Sequence, residues 1–409
     1  MRKCYNVALC SRPVPSPAAR SARSLRLVAI NLLILLVGLG LTEVVLRVAG
    51  VRYPAFYRPD VIRGYSLRPG ASGLWTREGR GKVTINSDGL RDVEHNLGRQ
   101  QGVMRVAVLG DSFSEAFQVN LEDTWWKQLE RRINAKPACA FRRGFPEGVS
   151  FINFGVGGYG TGPELLTWRQ QARRYAPERV LLAMYLGNDI QDNTPEPRPD
   201  LPVFRFGKDG ELTVDRDFLQ SPGSRFRFSP LGRLFDALVD RSALMQLVNE
   251  AKNRAAAARR SKAPVDLVTE LKGPPDDPQG WAMTAALLRT LRDEVNASSA
   301  QLLVTSLSAP VQVYPDQALR RKLLPASGPG PFEREQRLQG LLAPLGVPYL
   351  PLAPDLQQRA DRLGLTLHGF KSQQPGMGHW NPDGHRLAAE LLAERLCAPA
   401  SAPVRPATP

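Results

Sequence analysis

Residues 106–119 read VAVLGDSFSEAFQV, an apolar run that stops at Gly110-Asp111-Ser112. The run begins at Met104, and its β-branched and apolar residues are those of a central parallel strand, buried on both faces. A glycine, a carboxylate and a hydroxyl at the end of such a strand form a polar corner, where open α/β sheets gather ligands. Two further runs end the same way. VSFINFG (149–155) leads into Val156-Gly157-Gly158, and RVLLAMYLGND (179–189) ends in Gly187-Asn188-Asp189.

Between and after these strands the spacing turns helical, in TWWKQLERRINA (124–135) and GPELLTWRQQARRYA (162–176). Strand and helix alternate again after residue 280, with a helix over 281–296, the strand QLLVTSLS (301–308), a helix near 331–342, the short strand VPYLPL (347–352) and a last helix, GHRLAAELLAERL (384–396). This rhythm predicts a three-layer, flavodoxin-like α/β domain with a central parallel sheet over residues 101–398. Residues 192–280 break it with Pro-, Arg- and Phe-rich chain and a helical stretch over 231–261, which reads as a cap inserted over the sheet and the place where specificity would lie.

Upstream, Leu27 to Leu46 is a nearly unbroken apolar segment, long enough as a helix to cross a bilayer. Arg2, Lys3, Arg12, Arg20, Arg23 and Arg26 precede it without an acidic residue, so the positive-inside bias places residues 1–26 in the cytoplasm and the remainder in the periplasm or outside the cell. The long basic lead and the absence of an A-x-A site favour an uncleaved anchor over a signal peptide. Glu43, near the outer end, is expected to snorkel to the interface. Residues 47–100 form an extracytoplasmic lead-in, and its Asn86-Ser87-Asp88-Gly89 turn should sit against the start of the main domain. Residues 399–409 read as a disordered tail.

The formal net charge is +15, from 54 Lys and Arg against 39 Asp and Glu. The basic residues are dispersed, with no zinc-finger spacing and no aromatic interleaving, so nucleic acid is not the expected partner. Four cysteines, Cys4, Cys10, Cys139 and Cys397, lack metal-site spacing; Cys139 and Cys397 are the two able to pair outside the cytoplasm, or they stand as separate thiols. Neither a metal nor another cofactor is expected.

A serine is a poor nucleophile until a base takes its proton and preorganised donors meet the developing oxyanion. The chain has four histidines, His95, His368, His379 and His385. His379 and His385 lie in GHWNPDGH (378–385), a turn-rich loop well placed to aim an imidazole inward, although His385 opens a helix and could simply pack there. Ser114 stands where the second glycine of an α/β-hydrolase elbow would be, which excludes that plan.

In order, GDSFS, NFGVGGYGTG, YLGND and GHWNPDGH resemble the four blocks of the SGNH, or GDSL-type, hydrolases. The resemblance covers roughly residues 82–398 apart from the cap. It implies Ser112 as nucleophile and oxyanion donor, Gly158 as the oxyanion glycine with Gly155 and Gly157 as competitors, Asn188 completing the hole and His379 as base. It further implies an esterase acting on acyl esters, with the O-acetyl group of a carbohydrate or envelope polysaccharide as the expected substrate. The single anchor and INSDGLRD also look like membrane-bound polysaccharide O-acetyltransferases, so transfer to a sugar hydroxyl is an alternative. One departure stands out: the family carries an aspartate two or three residues before its histidine, whereas this chain has Gly376 and Met377. Asp383 is the nearest downstream candidate for the acid; a backbone carbonyl holding a Ser-His dyad is another arrangement. A weakened site in a non-catalytic polysaccharide-binding or assembly protein is the reading from a different class. Asp92 and His95 form a spaced pair upstream of the serine, held as a minor alternative.

Overall fold

The computed structural model describes residues 17–260, 276–324, 330–370 and 375–399. The chain before residue 17, with Cys4 and Cys10, and the tail after residue 399 lie outside the described residues. A long helix, α1 (Pro17–Val48), opens the chain, and its segment Leu25–Val48 is long and apolar enough to cross a membrane by length and composition, with none of it buried. Two antiparallel hairpins follow, β1 (Tyr57–Asp60) with β2 (Gly64–Leu67) and β3 (Ser72–Trp75) with β4 (Gly81–Thr84).

The main domain begins at β5 (Val103–Gly110) and continues through α2 (Ser112–Glu115), α3 (Trp125–Asn134), β6 (Gly148–Asn153), α4 (Thr161–Gln170), β7 (Arg179–Met184) and α5 (Asp189–Asp192). The expected insertion holds a hairpin of β8 (Val203–Phe206) and β9 (Leu212–Asp215), then α6 (Pro222–Phe228), α7 (Pro230–Arg241) and α8 (Ala243–Arg260). The domain resumes with α9 (Pro278–Ala297), β10 (Gln301–Ser306), α10 (Gln317–Leu323), α11 (Glu333–Leu342), β11 (Tyr349–Pro351), α12 (Ala353–Leu363) and α13 (Pro382–Cys397).

Five of these strands form one parallel sheet in the order β6-β5-β7-β10-β11. Numbered by occurrence this is 2-1-3-4-5, the doubly wound flavodoxin-like order, so the fold is the α/β fold that the strand and helix rhythm predicts. Period-2 alternation in β5 sends Met104, Val106 and Val108 to one face and Ala107 and Leu109 to the other. The first face packs Trp125, Trp126 and Leu129 of α3, Leu356 of α12 and Leu387 to Leu392 of α13; the second packs Leu165 and Trp168 of α4, Leu287 and Leu291 of α9, and Leu338 of α11. The registers place Gly110 beside Ala183 and Val108 beside Asn153, so β5, β6 and β7 end together. The chain leaves β5 for β6 on one side and later returns to β7 on the other, which makes the end of β5 the switch point where a ligand crevice is expected.

Cys139 and Cys397 form a disulfide that closes a span of 258 residues and joins the first crossover, between α3 and β6, to the end of α13. The helical stretch 231–261 is two helices, divided at Ser242, where the carboxylate of Glu43 accepts hydrogen bonds from the Ser242 hydroxyl and from the Ala243 and Leu244 N–H groups. Glu43 therefore caps α8 and is not a solvated snorkelling group. The Asn86 turn does rest on the main domain: the Tyr175 hydroxyl donates to Asp88 at 2.5 Å, and Gln171 Nε2 donates to the Asp88 carbonyl at 2.6 Å.

Candidate active site

The first crossover begins with the tight turn at Ser112. The Asp111 carboxylate accepts from Phe113 N–H at 2.9 Å and caps α2, so its job is to hold the loop; burial pushes its carboxyl up to about 6 against that hydrogen bond. As the first residue of α2, Ser112 keeps its own N–H free of any partner within the helix. Its Oγ lies 2.8 Å from His379 Nε2.

The other imidazole nitrogen, His379 Nδ1, donates to Glu78 Oε2, and Glu78 Oε1 accepts from the His379 backbone N–H at 2.7 Å. A Ser-His-carboxylate chain is thus assembled, with its carboxylate from the β3–β4 turn of the lead-in. The acid is not Asp383: that side chain forms an ion pair with Arg386 on the surface of α13. Gly376 and Met377, where an aspartate was expected, have other employment. Gly376 adopts φ +89°, with the Tyr314 ring only 2.7 Å from where a Cβ would be, and Met377 lines the cavity at the serine.

The approach of Glu78 requires local backbone room. Gly378 has φ +73°, and a Cβ there would lie 2.3 Å from Glu78 Oε1, so the residue before the histidine must be glycine for the carboxylate to dock. The turn is stitched to the chain after the nucleophile: Arg80 N–H donates to the Gln118 carbonyl at 3.1 Å and Lys82 N–H to Asn120 Oδ1 at 3.0 Å. Burial opposes ionisation of Glu78, but the hydrogen bonds and charge of His379 outweigh it and hold the carboxyl below its usual range. Burial likewise disfavours imidazolium at His379, and the bond to Glu78, its charge and those of Asp111 and Glu115 more than compensate, so the imidazole is raised above its ordinary value.

The other histidines are structural. His368 is buried between the Gly378 carbonyl, 2.7 Å from Nδ1, and the Ser308 hydroxyl, 3.1 Å from Nε2; burial lowers it to about 4, and it pins the loop that carries His379. His385 Nδ1 accepts from Trp125 N–H at 3.2 Å, and burial brings it to about 3. His95 sits 3.0 Å from Asp92, whose carboxylate accepts from Asn153 N–H at 3.0 Å; neither borders the cavity at Ser112.

That cavity, about 380 Å³, is bounded by Asp111, Ser112, Phe113, Gly158, Tyr185, Asn188, Pro310, Met377, Gly378 and His379. The three glycine candidates separate by hydrogen bonding. Gly155 N–H donates to Asn153 Oδ1 and Gly157 N–H to Glu115 Oε1, both at 3.0 Å. Gly158 N–H has no hydrogen-bond partner among the described residues, and Gly158 forms part of the cavity wall. Its φ of +80° and the Tyr65 hydroxyl, 2.6 Å from a Cβ built there, require glycine. Asn188 Nδ2 donates one hydrogen to Asp192 Oδ2 at 2.8 Å, which fixes the amide beside the cavity.

The β1–β2 hairpin braces this loop. Tyr65 hydroxyl donates to the Gly157 carbonyl at 2.9 Å, and Tyr57 hydroxyl donates to the buried Glu115, which burial raises to about 7. On the far side of Gly157, a second cavity of about 590 Å³ lies between this hairpin and α6, α7 and α8, walled by Tyr57, Tyr65, Phe226, Phe235, Arg227 and Lys252 among others.

No protein-family model and no curated protein matches the chain. Among solved structures it is similar to a catalytic variant of an acetylxylan esterase from Geobacillus stearothermophilus, at a TM-score of 0.37 and 8% identity over 73% of this chain and 95% of that one. It is also similar to a member of the lipolytic G-D-S-L family from Veillonella parvula, at a TM-score of 0.34 and 14% identity over 71% of this chain and 97% of that one.

Proposed function

We propose that this chain is a serine ester hydrolase of the SGNH type, working through an acyl-enzyme on Ser112. The observation that carries the reading is the connected line from Ser112 Oγ through His379 to Glu78, set beside the unpartnered Gly158 N–H. His379 Nε2 takes the Ser112 proton as Oγ bonds to the ester carbonyl carbon, and Glu78 holds the tautomer and stabilises the imidazolium. Ser112 N–H, Gly158 N–H and Asn188 Nδ2 receive the oxyanion. The C–O bond to the alcohol then breaks, and the departing oxygen takes the proton from His379. Water, deprotonated by the same imidazole, releases the acid and restores the serine.

Non-catalytic binding drew its support from a missing acid, and the carboxylate of Glu78 removes that support. The substrate we propose is a short acyl ester, O-acetyl foremost, of a carbohydrate. The small cavity at Ser112 suits a short acyl group, and the aromatic walls of the neighbouring cavity suit a sugar. We further propose that α1 is an uncleaved anchor with its basic end in the cytoplasm and the main domain on the opposite side. The disulfide supports this placement, since such bonds persist in oxidising compartments.

The decisive experiment compares p-nitrophenyl acetate turnover and fluorophosphonate labelling in the full chain with Ser112→Ala and His379→Ala. Labelling at Ser112 with turnover lost in both variants establishes the reading. Folded protein that neither labels nor turns over the ester sinks it.

A further inference from the structure

The outer end of α1 is fastened to the cap. Besides the three hydrogen bonds that Glu43 accepts from Ser242, Ala243 and Leu244, Arg47 Nη2 donates to the Arg241 carbonyl at 2.5 Å and Tyr53 N–H donates to Gln246 Oε1 at 3.1 Å. The apolar segment Leu25–Val48 has 24 residues, which rise about 36 Å against a hydrocarbon layer of about 30 Å. Glu43 stands five residues before its end, so the joint between α7 and α8 is held at the level where the hydrocarbon meets the headgroups.

From this joint α7 presents an unusual face. Leu231, Leu234, Phe235 and Leu238 recur at i, i+3, i+4 and i+7 and are 65%, 57%, 42% and 48% exposed. In a surface helix that stripe normally faces the core. Here the opposite side makes the contacts: Val239 is buried, and Asp236 and Asp240 pair with Arg68 of the lead-in. Phe226 of α6 extends the exposed apolar surface. Arg241 borders the stripe on α7, Arg225 and Arg227 lie on the preceding α6, and none of the three has a carboxylate partner among the described residues. Apolar side chains on one face with unpaired cations at its border are what a helix needs to lie among acyl chains and anionic headgroups.

We propose that α7 forms a second membrane contact, inserting Leu231, Leu234 and Leu238 into the leaflet from which α1 emerges, with Arg241 at the edge of this face among lipid phosphates. The occupant of this face is the bilayer because the face is continuous, through Glu43 and Arg47, with the segment that enters it. The inference rests on α1 spanning the membrane and is independent of the ester chemistry.

The test uses the full chain with Cys4→Ser and Cys10→Ser, reconstituted in vesicles of phosphatidylcholine and phosphatidylglycerol at 3:1. Single cysteines from Leu234→Cys, Leu238→Cys, Val37→Cys and Lys208→Cys carry a nitroxide, and its accessibility to oxygen is compared with that to an aqueous nickel chelate. Lys208 lies at the exposed tip of the β8–β9 hairpin and reports water. The expected result is an oxygen-to-nickel ratio at 234 and 238 at least fivefold above that at 208. Ratios equal to 208, with position 37 reading lipid, overturn the contact and leave the anchor standing. An aqueous reading at 37 overturns both. Spin-spin broadening at 234 that grows with the protein-to-lipid ratio overturns the proposal in favour of a second copy of the chain on this face.

Discussion

Two regions outside the parallel sheet, the lead-in over residues 57–84 and the described part of the insertion over 192–260, flank different cavities. The second hairpin of the lead-in carries Glu78 to His379, and its first buttresses the Gly157-Gly158 loop through Tyr57 and Tyr65. The insertion reads as a cap bearing specificity; none of its described residues borders the cavity at Ser112, and it faces the neighbouring cavity and the end of α1. What separates them is where each is tied down. Backbone hydrogen bonds at Arg80 and Lys82 fix the lead-in to the chain that follows the nucleophile, while the cap is tied to the end of α1 and to Arg68.

The comparison can be broken by kinetics on p-nitrophenyl acetate. Ser112→Ala sets the scale, with an expected loss of about 10⁴-fold or more in kcat/KM. Glu78→Gln should cost about 10²- to 10⁴-fold, because the ring loses the charge that orients it and stabilises imidazolium. It should also move the acidic limb of the pH profile. Neutral His379 is the base, so activity falls as the pH drops through its pKa; Glu78 holds that value above the ordinary 6.5, and the variant's limb must shift to lower pH. Asp383→Asn should leave both the rate and the limb within about twofold and a few tenths of a unit, as expected for a surface ion pair. A large loss in Asp383→Asn with none in Glu78→Gln would return the acid to the position downstream of His379.

Tyr57→Phe sharpens the picture at smaller amplitude. Glu115 would lose one charge-assisted hydrogen bond, and about a tenfold fall in kcat with little change in KM is expected if the loop below Gly158 relaxes. On the cap, Arg227→Ala should leave turnover of this small ester within about twofold, since its side chain meets only the second cavity. A tenfold fall there would bring the cap into the catalytic cavity after all.

The sheet was legible because its strands are buried on both faces, and VAVLG, FINFG and VLLAMYLG write that burial as continuous apolar runs that end in polar corners. That Ser112, Gly158, Asn188 and His379 meet at one cavity was legible because each sits at such an end or close to a helix start, where local chemistry shows through. Glu78 was not. Its sequence, TREGRGK, is a charged turn like any other, and the contact that matters spans 301 residues. The one local trace is Gly378, a glycine directly before the histidine, which leaves space without saying what fills it. The exposed stripe on α7 was legible as a helix, and its direction was not, because periodicity defines a face and leaves open whether that face meets a core or a bilayer.

The placement of Glu78 also decides what a protease would do to this chain. A cut between Val48 and Tyr57 would leave the serine, the histidine and the carboxylate on one polypeptide, held to α1 through the hydrogen bonds of Glu43 and Arg47 to the cap. A cut among the exposed residues Asn96 to Gln101 would leave the fragment with α1 holding the carboxylate and the other fragment holding the serine. The first event leaves the line from Ser112 through His379 to Glu78 whole, and the second divides it between two halves that must find each other to rebuild it.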